Sequence, residues 1–222
     1  MNTVEDRLGY TVYHKFLNSK DSDLPQNRER IYIVGFKEPL EFNFPTPVAN
    51  KTKIKDILEK KVEDKYFLSQ RYYECLVRHK AKHRAKSHGF GFEVLDPDGL
   101  GNALTVGRMG RERNLIRKKP RKGFYEKGMN KSAKNSLGLR MLTVRECARL
   151  QGFPETFTFP VSDTQAYKQV GNAVSVPVVK DVASKIYESL TKTPRNKGGL
   201  REDTTSVSTP IANSSQYRPQ GS

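Results

Sequence analysis

One set of side chains in this sequence has a spacing that could bind a metal ion. Cys75, His79 and His83 are spaced four residues apart, which would place them on one face of a helix. A zinc site would need a fourth ligand, such as His88, and no paired Cys-x-x-Cys or downstream His-x-x-x-His spacing accompanies these residues. Lysines and arginines crowd the same turns. Histidines that are solvated or close to phosphate are therefore favoured, and we predict no metal site.

The two cysteines, Cys75 and Cys147, do not resemble catalytic nucleophiles. A reactive thiolate needs neighbours that lower its pKa and access for a substrate, and each cysteine instead follows a glutamate. We expect Cys147 to pack as a small apolar residue. Two cysteines make no disulfide framework, which fits a reducing compartment and predicts a cytoplasmic location. The chain also has no G-x-G-x-x-G or P-loop motif, so it shows no complete active site.

The chain is strongly basic. Its 222 residues include 40 lysines and arginines against 24 aspartates and glutamates, a formal net charge of +16. Residues 71–134 hold 17 of the basic and six of the acidic residues, with basic blocks at 78–86 and 108–134. Such a field predicts a polyanionic partner, with DNA and RNA both open. No stretch approaches the roughly 18–20 consecutive apolar residues that span a bilayer, which excludes a membrane-spanning role.

Two strands are predicted in the first part of the chain. Residues 8–17 alternate with the period of two that is typical of a half-exposed strand. Residues 31–36 are apolar throughout, which favours a strand covered on both faces. We expect the two strands to pair across the polar connection at 18–30. Helical spacing follows at 54–62, and again after a possible N-cap at Ser69.

Two helices are predicted in the later part. Thr143 and Glu146 have the T-x-x-E spacing of a capping box, Leu142 and Cys147 occupy the positions of a hydrophobic staple, and the helix should stop at Gly152. Another helix should begin near Pro177 with a continuous apolar stripe. The stripe comprises Val178, Val179, Val182, Ala183, Ile186 and Leu190. The polar composition after about Thr191 predicts a disordered tail.

Three strings are more specific than these patterns. They are PQNRERIYIVGF at 25–36, RMLTVRECARLQGFPETF at 140–157 and SDTQAYKQVGNAVSVPVV at 162–179. In this order and spacing they resemble the last conserved blocks of bacterial DNA (cytosine-5) methyltransferases, over roughly residues 8–190. The basic insert between the first two strings lies where that family has its target recognition domain.

The resemblance implies roles for the first two strings. The family's Gln-x-Arg-x-Arg block matches Gln26, Arg28 and Arg30. In the family its arginines hold the catalytic loop and DNA phosphate, and the last, here Arg30, hydrogen-bonds the flipped cytosine. A planar guanidinium is suited to a phosphate or carbonyl oxygen. Gln26, Arg145 and Glu146 would be structural supports. The alternative for the arginines is a surface salt-bridge cluster before a strand.

The third string implies a cofactor contact. Its QVGNAV segment is similar to the family's Q-x-G-N-S-V turn, which closes over S-adenosyl-L-methionine, so Asn172, Ala173 and Val174 would lie against that cofactor. Ala173 replaces the family's serine, and a hydroxyl contact is lost while backbone contacts remain available.

The insert departs from the family at the recognition pair. Ala103 stands where a threonine precedes leucine in many members, and either Thr105 takes over its contact or the contact is absent. Side chains from glycine-rich loops would read the major groove of double-stranded DNA. The candidate DNA-binding residues are Arg84, Lys86, Thr105, Arg108, Arg111 and Arg113.

The front half of the family's machinery is absent from this sequence. Members attack C6 of a flipped cytosine with a cysteine that follows proline, and no Pro-Cys, Glu-Asn-Val or glycine-rich cofactor loop occurs here. We therefore predict the C-terminal portion or subunit of a DNA cytosine-5 methyltransferase from a restriction-modification system. It would be inactive alone and share its cofactor with a partner chain that carries the missing motifs. The alternatives are a non-catalytic DNA-binding protein and an inactive remnant.

The implied fold is α/β, with incomplete Rossmann-like methyltransferase sheet elements and a small, mostly β/loop target recognition domain. The expected division is 1–48 for the strands of the catalytic domain and 49–139 for the recognition domain. Residues 140–190 would return to the catalytic domain, and 191–222 would form the tail.

Overall fold

A computed structural model describes residues 4, 7–85, 91–106, 110–118 and 137–192. The strands of these residues are β1 (Thr11–Asn18), β2 (Gln26–Asn27), β3 (Glu29–Phe36), β4 (Gly101–Asn102), β5 (Leu115–Arg117) and β6 (Leu139–Met141). The helices are α1 (Ile54–Ile57), α2 (Gln70–Arg84), α3 (Val144–Leu150), α4 (Asp163–Asn172) and α5 (Val176–Lys192). The predicted tail lies outside the described residues from 193 onwards.

The strands β1 and β3 form an antiparallel hairpin, which confirms the predicted pairing. Its register places Phe16 opposite Ile31 and His14 opposite Ile33. One face packs on α5, because Val34 and Phe36 share a buried cluster with Val182. The described part of the chain adds no third strand to this sheet, so both of its edges are open.

The other face of the hairpin is apolar and exposed. Phe16, Ile31 and Ile33, which we call the hairpin outer face, are 63%, 48% and 60% exposed. The expectation that residues 31–36 are covered on both faces is therefore wrong within this chain. The reason is that the sequence supplies α5 for one side of the hairpin and nothing for the other among the described residues.

The last helix has the predicted start, and its apolar stripe is partly buried. α5 begins at Val176, with Pro177 in its first turn, where the missing N–H of proline is tolerated. Val178 and Val182 are buried, whereas Val179 and Leu190 are exposed. The apolar stripe is therefore wider than the hairpin surface that covers it.

The predicted features of α3 are confirmed. Thr143 accepts a hydrogen bond from the N–H of Glu146, and the Glu146 carboxylate accepts one from the N–H of Thr143, which makes a complete capping box. Leu142 and Cys147 pack in the same buried cluster. The helix ends before Gly152, whose φ of +78° suits glycine.

The described part of the insert includes α2, which buries Leu76 and is otherwise partly or fully exposed. The Ser69 side chain caps α2 by accepting from the N–H of Tyr72, as predicted. The helical prediction at 54–62 is too long, because α1 ends at Ile57 and Leu58 is extended. β2 pairs in parallel with β4, and β5 pairs with β6. Each short sheet thus joins the insert to a flanking block of the sequence. The domain boundaries at 48 and 139 stay a prediction.

The largest buried cluster among the described residues includes side chains of the insert and of the later helices. Ile54, Leu104 and Ile116 pack with Leu150 of α3 and Val170 of α4. No helix among the described residues is both long enough and apolar enough to cross a membrane.

Candidate functional site

Arg28 lies between β2 and β3 and joins three parts of the chain. Its guanidinium donates to the carbonyl oxygen of Leu104 at 2.7 Å, to that of Ala173 at 3.0 Å and to that of Gly171 at 3.3 Å. Its side chain is buried, and this burial, with a smaller effect from Arg30, lowers the pKa of Arg28. We call Arg28 and these three carbonyl groups the Arg28 junction. It brings the first and third strings of the sequence together with the insert.

Arg30 lies beside this junction and faces solvent. Its guanidinium donates to the carbonyl oxygen of Glu29 at 2.6 Å, and it makes no ion pair with a described residue. The salt-bridge alternative therefore gains no support here: Arg28 is bonded to carbonyl oxygens and Arg30 to its neighbour's backbone. Since no acidic residue of the described ranges pairs with it, this positive charge is available to an incoming anion or carbonyl oxygen.

The candidate cofactor turn, residues 170–174, ends α4. Asn172 and Val174 are exposed, while Ala173 is half-buried and its carbonyl oxygen accepts from Arg28. The backbone of the turn is thus fixed from inside, and the Asn172 amide and the Val174 side chain remain on the outside.

Three residues that the sequence reasoning missed also hold this turn. The Gln151 amide donates to the carbonyl oxygen of Val170 at 2.9 Å, and the Ser175 hydroxyl donates to the Gln151 side-chain oxygen at 3.1 Å. The hydroxyls of Ser19 and Ser175 lie 2.5 Å apart. Gln151 belongs to the RECARLQGFP block, and a polar residue between a helix end and glycine was the available signal.

Two candidate DNA-binding residues line one cavity. Thr105 and Arg111 border a space of about 210 Å³, and Thr164 and Lys168 of α4 close its other side. The Arg111 guanidinium lies over the ring of Tyr167, 4.9 Å from its centroid. Lys168 was missed in the sequence. It immediately precedes the QVGNAV segment and adds a second exposed cation to this cavity.

The remaining DNA-binding candidates are more dispersed. Arg113 is exposed in a 3₁₀ turn before β5, and Arg84 is exposed at the last residue of α2. Neither lines the cavity that Thr105 and Arg111 share. Lys86 and Arg108 lie outside the described residues.

The candidate support residues differ in their surroundings. Glu146 forms a fully buried two-bond ion pair with Arg140, at 2.7 and 2.8 Å. Arg145 is more exposed and donates to the carbonyl oxygen of Phe157 at 2.7 Å. Gln26 is fully buried, and its side-chain amide has no hydrogen-bond partner among the described residues. All three lie in the framework around the Arg28 junction and the insert, and their functional roles stay predictions.

Of the cysteines and histidines among the described residues, Cys147 alone borders the cavity that Thr105 and Arg111 share. Cys147 is buried in the core, as predicted, and burial raises the pKa of its thiol. Cys75 is exposed on α2, where the rings of His79 and His83 have centroids 4.2 Å apart. The described residues include no group of three potential metal ligands.

Known proteins resemble this chain over most of its length. A family model described as C-5 cytosine-specific DNA methylase matches residues 1–188. Type II methyltransferase M.HpaII of Haemophilus parainfluenzae is 44% identical over 195 residues, which are 86% of this chain and 54% of the relative. M.SsoII of Shigella sonnei is 43% identical over 85% of this chain and 47% of the relative. The chain thus spans about half the length of these relatives.

Solved structures agree in fold. The Entamoeba histolytica methyltransferase EhMeth matches with a TM-score of 0.63 at 18% identity, over 85% of this chain and 57% of its own. The S. pombe Dnmt2 methyltransferase matches with a TM-score of 0.61 at 22% identity, over 85% and 62%. These neighbours have a Rossmann-like fold, and the small sheets and helices described above correspond to part of it.

Proposed function

The chain belongs to the C-5 cytosine-specific DNA methylase family, and from this premise we propose that it supplies the C-terminal portion of a DNA cytosine-5 methyltransferase. Its insert would recognise double-stranded DNA, and the residues around Arg30 would help to hold the flipped cytosine. The relatives' names place them among Type II methyltransferases, which supports a role in a restriction-modification system.

One observation carries this proposal: the Arg28 junction holds the insert and the cofactor turn together and leaves Arg30 exposed beside them. A guanidinium on the surface can donate to the carbonyl oxygen of a base or to a phosphate. Rotation of the base out of the helix is required because its ring carbons are inaccessible while it is stacked. In this proposal Arg30 would hold the flipped base next to the recognition insert and the cofactor turn.

The cofactor in this proposal is S-adenosyl-L-methionine, which supplies the methyl group when bound. The candidate turn fits part of such a site, because its backbone is fixed by Arg28 and Gln151 while Asn172 and Val174 are exposed. Ala173 contributes its backbone only. The family's serine hydroxyl has no counterpart at this position.

The rest of the active site would come from other methylase sequence. This chain has no Pro-Cys, and it spans about half of its relatives. The open edges of the hairpin and its outer face are surfaces that further strands and helices could cover. We infer that a partner chain or domain with the glycine-rich loop and the nucleophile completes both the sheet and the cofactor site.

The test is transfer of labelled methyl groups from S-adenosyl-L-methionine to DNA. The full chain is assayed alone and combined with the remainder of the Haemophilus parainfluenzae relative. We expect transfer only by the combination. Transfer by the chain alone would contradict the need for a partner, and salt-sensitive DNA binding without transfer in any combination would favour the non-catalytic alternative.

The variant Arg30→Ala tests whether Arg30 acts in catalysis or only in DNA binding, when the chain is combined with the remainder of the relative. Loss of a guanidinium that stabilises the flipped base should lower the methylation rate by about 100-fold, while DNA affinity falls by less than about 10-fold. Lys180→Ala is the control, since Lys180 is an exposed cation on α5. Equal losses in the two variants would remove the special role of Arg30.

A further inference from the structure

We propose that Arg28 is a positioning residue that couples the DNA-reading part of the insert to the cofactor turn. This inference rests on the proposed function, and it concerns how DNA binding and cofactor binding at that site affect each other. Its starting point is that one guanidinium bonds both segments: one nitrogen donates to Leu104 and the other to Gly171 and Ala173.

The bonding of Arg28 makes the two segments dependent on each other. Its charge is buried, and the groups that it donates to are backbone carbonyls. A buried charge that loses part of its hydrogen bonding carries a large free-energy penalty. If Leu104 moves away, the guanidinium must follow it or lose that bond, and in following it would leave the carbonyls of the turn. The favourable arrangements are therefore those in which both segments are in place.

A second contact links the same two segments. A side-chain carbon added at Gly171 would lie 2.9 Å from Cγ2 of Val106, which is closer than carbon atoms normally approach. Glycine at this position lets the turn and the insert touch directly. The contact does not involve the Arg28 side chain, so it can be altered without removing a buried charge.

The residues next to these contacts are the ones expected to meet ligands. Thr105, a DNA-binding candidate, follows Leu104 directly, and Asn172 lies between the two turn residues that Arg28 holds. DNA that fixes Thr105 would therefore favour the arrangement of the turn that presents Asn172. Linkage is reciprocal, so bound cofactor would favour DNA binding by the same factor.

The experiment measures this factor in the active combination of the chain with the remainder of the Haemophilus parainfluenzae relative. The probe is S-adenosylhomocysteine, which cannot react, and its dissociation constant is determined with and without a DNA duplex that the combination methylates. We expect DNA to tighten its binding by about 5–150-fold. In Arg28→Met the ratio should fall to within about twofold of one. A purely structural role would weaken both complexes and leave the ratio unchanged.

A gentler set of variants covers the case in which Arg28→Met fails to fold. Gly171→Ala should reduce the ratio, Val106→Ala should leave it near the wild-type value, and the double variant should restore it because the crowding methyl group is gone. Gly35→Ala on β3 is the matched control, because a side-chain carbon there meets Tyr10 at an ordinary 3.4 Å.

The outcomes separate this inference from the proposed function. No methylation by any wild-type combination would overturn the proposed function itself. Methylation with a wild-type ratio of one would overturn the coupling, as would an unchanged ratio in both Arg28→Met and Gly171→Ala. A reduced ratio that Val106→Ala restores in the Gly171→Ala background would show that the coupling depends on how closely the insert packs against the turn that Arg28 holds.

Discussion

The α3 region and the β1–β3 hairpin differ in which side chains they bury: the first buries charged side chains, and the second exposes apolar ones. Around α3, the charged side chains of Arg140 and Glu146 are completely buried, and Glu146 also accepts from the N–H groups of Thr143 and Glu59. In the hairpin, the apolar side chains of the hairpin outer face are about half exposed or more. Burial is therefore complete where the groups are charged and incomplete where they are apolar.

This difference separates what the chain completes by itself from what it leaves to another surface. A buried ion pair needs further hydrogen bonds to offset its loss of water. Both oxygens of Glu146 and both terminal nitrogens of Arg140 have hydrogen-bond partners, whereas Nε of Arg140 has none among the described residues. An exposed apolar sheet face indicates an interaction surface. In the proposed enzyme, the hairpin would be the surface that the rest of the methylase covers. The α3 region, by contrast, has most of its partners within this chain.

The largest expected effect comes from a substitution that breaks the buried ion pair of the α3 region. Glu146→Gln removes the negative charge that neutralises Arg140. It also replaces one of the two carboxylate oxygens, which together accept from Arg140 and from two backbone N–H groups, with an NH₂ group. Breaking a buried pair in this way should lower the free energy of unfolding by about 3–5 kcal/mol. Urea unfolding of the full chain measures the loss.

Glu155→Gln is the matched control for this substitution. Glu155 pairs with Arg149 by two hydrogen bonds as well, but its side chain is 62% exposed. Its loss should be below about 1 kcal/mol. Similar losses of unfolding free energy in the two variants would show that burial of the Arg140–Glu146 pair adds nothing to the stability of the α3 region.

A smaller effect should distinguish the two faces of β3. Val34→Ala removes two methyl groups from the buried cluster and should cost about 2 kcal/mol, whereas Ile33→Ala on the exposed face should change stability by less than about 0.5 kcal/mol. Once the rest of the methylase is added, Ile33→Ala should weaken its association, as measured by titrating methylation activity. Equal stability losses without an effect on association would mean that the outer face is not a docking surface.

The sequence predicts best what depends on short spacings. The capping box of Thr143 and Glu146 and the stop at Gly152 are local, because three-residue spacing and a positive φ can be inferred from neighbouring residues. The helix expected at 54–62 was overestimated, since apolar spacing continues through Leu58 and Val62 while the backbone leaves the helix at Leu58.

The partners of Arg28 could not be predicted from the sequence. Arg28 was a candidate for the active site, but it bonds to carbonyl oxygens, which every residue has, so no residue type marks Leu104 or Gly171 as its partner. The exposure of Ile33 could not be predicted either. The apolar composition of a strand predicts that another surface covers it. It does not indicate whether that surface belongs to the same chain.

The smallest expected effect concerns the cap of α3. Thr143→Ala removes the hydroxyl that accepts from the N–H of Glu146 and donates to the Glu59 carboxylate, and it should lower the free energy of unfolding by about 1–2 kcal/mol. Ser162→Ala is the control, because Ser162 precedes α4 without a side-chain capping bond and should cost less than about 0.5 kcal/mol. Urea unfolding of both variants decides the matter. If Ser162→Ala costs as much as Thr143→Ala, the stability of α3 does not come from its cap, and the self-sufficiency of this region must rest on the buried ion pair alone.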